Sequence, residues 1–408
     1  KDVLLCRICS GPLESVYDFG NIPSTGVFPR SPLETVNYGN LHLKLCKACS
    51  FGQLSQDFEE SLLFGESYGY QSALNPEMEL HLERKAQKLH GLLGKNSPSV
   101  LDIGSNDGTF LSKFEPLGAG ELVGCDPTIE FLRDLQYPDR ARLIAKIYSD
   151  ELISIGELQR KSFDLVTAVA MFYDLPDPLG FLVSVSSLLS EDGVLHLEMS
   201  YAGAMIQNRA IDTICHEHTG YHSLGSLNIL LRKAGLRVID FQLHSINGGS
   251  LEITACHKGS RAYETSRDFA EHLNGPLERS LGSIETWQNF VLESTLEINK
   301  LRDFILERAL RGEEVSALGA STKGNMVLHL LGDAIQHIGE IGEINRGKIG
   351  AYTPIGRIPI HAQEDVIHSK AKFLVVLPWH FRSTFVKLRR NLPSDKKLVF
   401  PLPEFNVL

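Results

Sequence analysis

The stretch Val100-Leu101-Asp102-Ile103-Gly104-Ser105-Asn106-Asp107-Gly108-Thr109-Phe110-Leu111 constrains this chain more than any other. A short apolar run enters a turn with two glycines, and a helix from Phe110 to about Phe114 is expected to follow. Gly104 and Gly108 permit positive φ and let a ligand approach backbone where a Cβ would collide. The helix N-terminus beyond them offers free N–H groups. About 20 residues on, Leu122-Val123-Gly124-Cys125-Asp126 reads as a second strand ending in an acid, placed to accept both hydroxyls of a ribose. Strand, glycine turn, helix, strand and acid together describe a nucleoside-cofactor site.

What is missing from the loop points to the cofactor. Gly104 to Gly108 lacks the G-x-G-x-x-G spacing of a dinucleotide site, and no Gly-Lys-Ser/Thr follows to cradle phosphates. Asp102 and Asp107 make it a poor host for pyrophosphate. They suit a ligand with a cationic end and no phosphate, which describes S-adenosylmethionine. Contacts to it are expected from Asp102, Gly104, Ser105, Asn106, Gly108 and Thr109, from Asp126 and Pro127, and from Tyr148, Met171 and Phe172 after later strands.

The pattern continues in alternation. Strands are expected near Ala141–Ala145, Phe163–Ala170 and Gly193–Ser200, with helices over Pro76–Leu92, Pro178–Leu189 and Ser223–Ala234. Two extended runs, Leu236–Leu243 and Ser250–His257, flank the Gly248-Gly249 pair and read as a hairpin. The expected fold is α/β: a parallel, doubly wound sheet closed by an antiparallel hairpin, the class I methyltransferase pattern. Beyond residue 260, two helices lead to a second, smaller Rossmann-like unit that starts at Val315. Its Gly319-to-Gly324 loop carries Lys323 and opens a helix, a place for a phosphate.

At the other end, Cys6-x2-Cys9 and Cys46-x2-Cys49 have the spacing of a four-thiolate zinc site. Four thiolates leave no open position, so the zinc is expected to be structural. The segment between the pairs is rich in turn residues, and we read it as a looped insert stabilised by the metal. The expected domains are therefore 1–65, a zinc-binding module; 66–260, the methyltransferase domain; and 261–408, a helical linker with the C-terminal Rossmann-like domain.

Composition narrows the partners. The net charge of −10 argues against a nucleic-acid partner, whose binding is dominated by phosphate neutralisation. No apolar run reaches membrane-spanning length, and no basic-then-apolar leader opens the chain, so a cytoplasmic location is expected. Monomer and homodimer are both open.

The densest chemistry lies in Cys215-His216-Glu217-His218-Thr219-Gly220-Tyr221-His222, after the fifth strand of the core, where ligands bind in this fold. A histidine beside a carboxylate is a general-base pair. The order His-Glu-His is not the His-Glu-x-x-His of zinc proteases, because residues two apart do not share a helix face. Tyr68 and Tyr70 flank a glycine ahead of the cofactor strand and serve equally as packing or as a lid.

These residues, with Tyr68-Gly-Tyr70-x-Ser72, Ile103-Gly-Ser-Asn-Asp-Gly-Thr109, Gly248-Gly249-Ser250, Gly319-Ala320-x2-Lys323-Gly324-Asn325 and Tyr352-Thr353-Pro354, give the chain a close resemblance to the bacterial deoxysugar C-methyltransferases over almost its whole length. The resemblance implies a nucleotide-linked keto-sugar substrate, thymidine diphosphate first among the nucleotides, methylated on the carbon beside its ketone through an enolate. It implies His218 as the base, Glu217 as its neighbour, and Tyr70 with Tyr68 closing over the reacting carbon. His216, Tyr221 and His222 are unranked donors for the enolate oxygen, and His216, Asn247, Lys323, Asn325 and Tyr352 are implied sugar-nucleotide contacts. The chain departs from the family where Cys215, Asn247 and His222 stand in place of Tyr, His and Tyr; these changes leave the cofactor loop intact. The alternatives are a zinc-ribbon methyltransferase acting on RNA or protein, and a non-catalytic nucleotide-sugar binding subunit.

Overall fold

The computed structural model describes residues 2–58, 71–74, 76–132, 134–245 and 248–408. The expected lid residues Tyr68 and Tyr70, and the expected sugar contact Asn247, lie outside the described residues.

The segment between the cysteine pairs is not a looped insert. It forms β1 (Glu14–Pro23) and β2 (Tyr38–Cys46), which pair antiparallel, and β3 (Phe51–Leu54) pairs with β2. The cause is a period-two alternation, Leu41-His42-Leu43-Lys44-Leu45, that buries all three leucines completely. The turn-like Gly20-Asn21-Ile22-Pro23 lies at the irregular end of β1, where the register slips between Asp18 and Asn21 and Gly20 has φ +84°.

The second sheet is built from β4 (Val100–Ile103), β5 (Leu122–Cys125), β6 (Arg142–Ile144), β7 (Phe163–Val169) and β8 (Leu189–Ser200), all parallel, with β10 (Leu236–His244) and β11 (Ser250–His257) antiparallel at one edge. Its order is β10-β11-β8-β7-β4-β5-β6. Every residue of β4 and β5 is buried, as parallel strands covered on both faces require. The chain runs one way from β4 and later returns on its other side to β7, so the carboxyl end of β4 is the topological switch point where ligands bind. The helix Pro76–Leu93 covers one face with Met78, Leu82, Ala86, Leu89 and Leu93, spaced three and four apart.

The third sheet has the order β14-β13-β12-β15-β16-β17, from β12 (Val315–Leu318), β13 (Ile338–Glu343), β14 (Ile360–Ala362), β15 (Phe373–Val376), β16 (Lys397–Phe400) and β17 (Asn406–Val407). All but β17 run parallel. The helix Ile284–Leu310 packs on β1 and on β12, and its Trp287 is fully buried. A Cβ at Gly52 would lie 2.5 Å from the Trp287 ring, so that packing needs a glycine in β3.

A fourth strand of the first sheet comes from the loop that follows β8. The short strand β9 (Gly220–Tyr221) adds to β3, with Gly52 opposite Tyr221, and the Leu54 N–H donates to the Thr219 carbonyl at 3.0 Å. No helix among the described residues is long and apolar enough to cross a membrane.

Candidate active site

The cofactor cleft opens at the carboxyl ends of β4, β5 and β7. Gly104 (φ +73°) turns the chain out of β4, and a Cβ there would sit 2.8 Å from Met171, which covers it. The Asp126 carboxylate accepts from the Asn106 N–H (2.8 Å), the Thr128 N–H (2.7 Å) and the Thr128 hydroxyl (2.6 Å). It is thereby aimed, with acceptor capacity left on Oδ2. Asp102 is buried beneath the loop; burial and the nearby Asp126 charge push its carboxyl up to about 7, against the Thr167 hydroxyl that donates to it at 2.6 Å.

Asp102, Gly104, Ser105, Asn106, Asp126, Pro127, Tyr148 and Met171 all line this cleft. Three expected contacts stand outside the lining. Gly108 faces Tyr137, whose ring a Cβ would strike at 2.5 Å; the Thr109 hydroxyl donates to Asp107 at 2.7 Å; and Phe172 is buried between Phe181 and His222. Asp107 is likewise occupied, accepting the Ala73 N–H at 2.9 Å. Sequence reasoning missed two acids in the lining, Asp174 and Glu198. With Asp102 and Asp126 they make four carboxyl groups, of which Glu198 is paired with Lys85 behind the lining, and the described lining itself holds no lysine or arginine. That donor set fits S-adenosylmethionine, cationic and without phosphate.

The loop after β8 is buried throughout, because the first sheet and the C-terminal domain cover it. His218 donates from Nδ1–H to the Thr213 carbonyl at 2.7 Å, which fixes the tautomer and leaves Nε2 as the basic nitrogen. Burial and the Lys323 charge hold His218 down to about 3, so the free ring is neutral. The Tyr173 ring packs edge-on against it, 4.3 Å between centroids. Burial drives Glu217 up to about 7, although Lys348 and a hydrogen bond from Thr322 pull the other way. Its Oε1 has no partner among the described residues, and a Cβ at Gly26 would come within 1.9 Å of that atom.

The remaining loop residues divide. His216 spends both ring nitrogens on packing: Thr25 N–H donates to Nδ1 (3.3 Å), and Nε2–H donates to the Gly39 carbonyl (3.3 Å). It binds the loop to the first sheet, which leaves it no nitrogen for a sugar. His222 lies between the rings of Phe51 and Phe172, held down to about 3 by burial. Tyr221 lines a small cavity together with His218, Tyr173 and Thr213. From the C-terminal domain, Asn325 donates to the Thr25 carbonyl at 2.7 Å and the Tyr352 N–H to the Pro29 carbonyl at 2.8 Å, so both clamp the segment between β1 and β2. Lys323 acts electrostatically on His218. Lys348, which the sequence did not single out, is half-buried over the Phe28 ring and acts on Glu217. No motif marks it; only the fold brings it there.

The cysteine pairs make two copies of one turn. Ser10 N–H donates to the Cys6 carbonyl (2.9 Å) and Ser50 N–H to the Cys46 carbonyl (2.8 Å), both serines at positive φ (58° and 57°). The Sγ atoms of Cys6 and Cys49 are 3.5 Å apart, Cys9 and Cys46 3.5 Å, and Cys9 and Cys49 3.6 Å. A tetrahedron with Zn–S near 2.3 Å has edges of about 3.8 Å, so the four thiols fit one zinc with no position open.

Comparison with known proteins agrees in order along the chain. A family model described as a zinc binding domain matches residues 6–64, one described as a methyltransferase domain matches 77–240, and one described as a C-methyltransferase C-terminal domain matches 245–403. The C-methyltransferase NovU of Streptomyces niveus is 26% identical over 99% of this chain and 96% of its own length. Other similarities are partial: the tRNA U34 carboxymethyltransferase of Campylobacter lari is 28% identical over 25% of this chain and 35% of its own. Among solved structures, an S-adenosylmethionine-dependent methyltransferase from Mesorhizobium loti is 17% identical over 43% of this chain and 99% of that one, with a TM-score of 0.34. One from Aquifex aeolicus is 18% identical over 45% and 94%, also with a TM-score of 0.34. With three matched domains in sequence and one relative alike from end to end, the chain is an S-adenosylmethionine-dependent methyltransferase with an N-terminal zinc-binding domain, similar along its length to a C-methyltransferase.

Proposed function

We propose that the chain methylates the carbon beside the ketone of a nucleotide-linked keto-deoxysugar, thymidine diphosphate being the favoured carrier, and that the reaction passes through an enolate. The observation that carries this reading is His218, whose Nδ1–H is committed to the Thr213 carbonyl, which leaves the lone pair on Nε2, and whose ring has a nitrogen within 4.8 Å of a Glu217 carboxylate oxygen. A ring held down to about 3 is unprotonated at every working pH. His218 Nε2 takes the proton from the carbon beside the ketone, and the C–H electrons pass into the enolate. The Glu217 carboxylate stabilises the imidazolium that forms. Bound S-adenosylmethionine supplies the electrophilic methyl group. Tyr70 and Tyr68 stay the residues proposed to close over the reacting carbon.

The Gly319–Gly324 loop supports the place of the nucleotide. Ser321 caps the helix Thr322–Leu330, and Lys323 sits in its first turn, close enough to act on His218. Holding two reactants in alignment supplies about 7–11 kcal/mol of barrier reduction, which suits a site walled by three domains.

The test is His218→Ala. A positioned base contributes about 10²–10⁴-fold, and turnover should fall by that order while S-adenosylhomocysteine still binds. Solvent deuterium should also stop washing into the carbon beside the ketone. Methyl transfer and exchange near wild-type rates would move the base to another group.

A further inference from the structure

Asp174 has no role in the chemistry above, yet it stands between its two halves. It lines the cofactor cleft at the carboxyl end of β7, in the short turn of helix Phe172–Asp174. The residue before it, Tyr173, packs on the His218 ring. The Thr219 hydroxyl of the catalytic loop donates to the carbonyls of Tyr173 (3.3 Å) and Leu175 (3.0 Å), on either side of Asp174. The loop that carries Glu217 and His218 is thus pinned to the backbone around this one carboxyl. Asp174 Oδ1 is shielded from solvent and has no hydrogen-bond partner among the described residues. A buried oxygen left unsatisfied costs about 1–3 kcal/mol, and in a cleft it marks a contact completed by a ligand.

Glu217, Cys215 and Tyr221 all lie within electrostatic reach of Asp174. Burial raises both carboxyls. Lys348 and Thr322 draw Glu217 back to about 7, whereas no cation among the described residues acts on Asp174, which burial and then Glu217 push well above the usual range. Two carboxyls with environments pushed apart take different roles. Glu217 is the one that ionises, and Asp174 is the one that keeps a proton to donate.

We propose that Asp174 is a further catalytic residue, whose carboxylic acid donates a hydrogen bond to the ketone oxygen of the substrate as negative charge develops there. This rests on the enolate reading above. When His218 removes the proton, the C–H pair becomes the C=C bond and the carbonyl π pair moves to oxygen, where the Asp174 O–H meets it. When the carbon takes the methyl group, the ketone re-forms and Asp174 keeps its proton. The proton taken by His218 leaves to solvent, so one proton is released per methyl transferred.

The experiment compares wild type, Asp174→Ala and Asp174→Asn, each with zinc bound. The readouts are kcat and KM for a thymidine-diphospho-keto-deoxysugar, deuterium uptake beside its ketone in D2O with S-adenosylhomocysteine present, and calorimetric binding of S-adenosylhomocysteine. Removing one oxyanion donor typically lowers kcat by about 10²–10³-fold. Asp174→Ala should show that loss in kcat and in exchange alike, with cofactor binding unchanged, and Asp174→Asn should recover part of it through its amide N–H. If Asp174→Ala exchanges deuterium at the wild-type rate, the proposal falls and the enolate reading stands. If the wild type does not exchange, both fall. Loss of S-adenosylhomocysteine binding in both variants would make Asp174 a cofactor-holding residue and also overturn the proposal.

Discussion

Burial decides what each titratable residue of the core can do, and Lys85 shows it most sharply. It lies on the buried face of helix Pro76–Leu93, with Nζ 2.7 Å from Glu198 and 2.5 Å from Glu252. Burial alone would raise Glu198, but the Lys85 charge and the His81 hydrogen bond outweigh it and hold the carboxyl at about 2; Glu252 is likewise driven well below the usual range. Carboxyls lowered on folding add stability that is present above the unfolded value near 4.3 and lost as pH falls toward the folded one. Lys85→Met should therefore cost about 3–5 kcal/mol near pH 7, the penalty of two stranded buried charges. The cost should shrink near pH 4, where the stranded carboxyls protonate. Denaturant melts at the two pH values give the comparison, and an equal cost at both would count against the ion network. The sequence concealed this cluster, since Lys85 breaks an otherwise apolar stripe and its partners lie more than a hundred residues away. The placement of His218 and Glu217 was legible because they sit side by side in a loop whose position in the fold follows from the strand order. Asp174 and Lys348 were not, because no local pattern shows which polar side chains the fold will bury.

At the scale of elements, the glycine turn, the parallel core and the closing hairpin could all be read, because each is written in local periodicity and turn chemistry. The first sheet could not. Leu41, Leu43 and Leu45 alternate clearly, but the turn residues before them suggested a loop, and the strand β9 that completes the sheet is two residues long. The consequence concerns the metal. Cys46 ends β2 and Cys49 leads into β3, whose other edge holds the backbone just after His218. Purified protein should contain about one zinc per chain with Zn–S near 2.3 Å. Cys46→Ser should lose the zinc and, with it, hydrogen-exchange protection at the Leu54 amide, while S-adenosylhomocysteine binding at the β4–β5 end persists. Turnover should fall with the protection. A metal-free protein with full activity and an unchanged Leu54 amide would contradict the pairing's role.

Across the whole molecule, three sheets meet on one loop, and few side chains make the joints. Trp379 of the C-terminal domain donates its indole N–H to Asp212 Oδ2 at 2.8 Å, just ahead of the loop that carries His218, while Asp212 Oδ1 has no partner among the described residues. Burial pushes Asp212 up to about 6, against Lys323 and this hydrogen bond. Trp379→Phe should destabilise the protein by about 1–3 kcal/mol, the penalty for an unsatisfied buried acceptor. Asp212→Leu added to it should cost much less than Asp212→Leu alone, and additive losses in a double-mutant cycle would show that the two do not act as a pair. The pairing of β3 with β9 also sets an order of events during synthesis. Phe51–Leu54 leaves the ribosome long before Gly220–Tyr221 is made, and at ~5–20 residues per second the interval is roughly ten to thirty seconds. For that time the growing chain carries an unpaired strand edge, a template for the wrong neighbour. That edge stays open until the chain's own loop arrives to close the sheet.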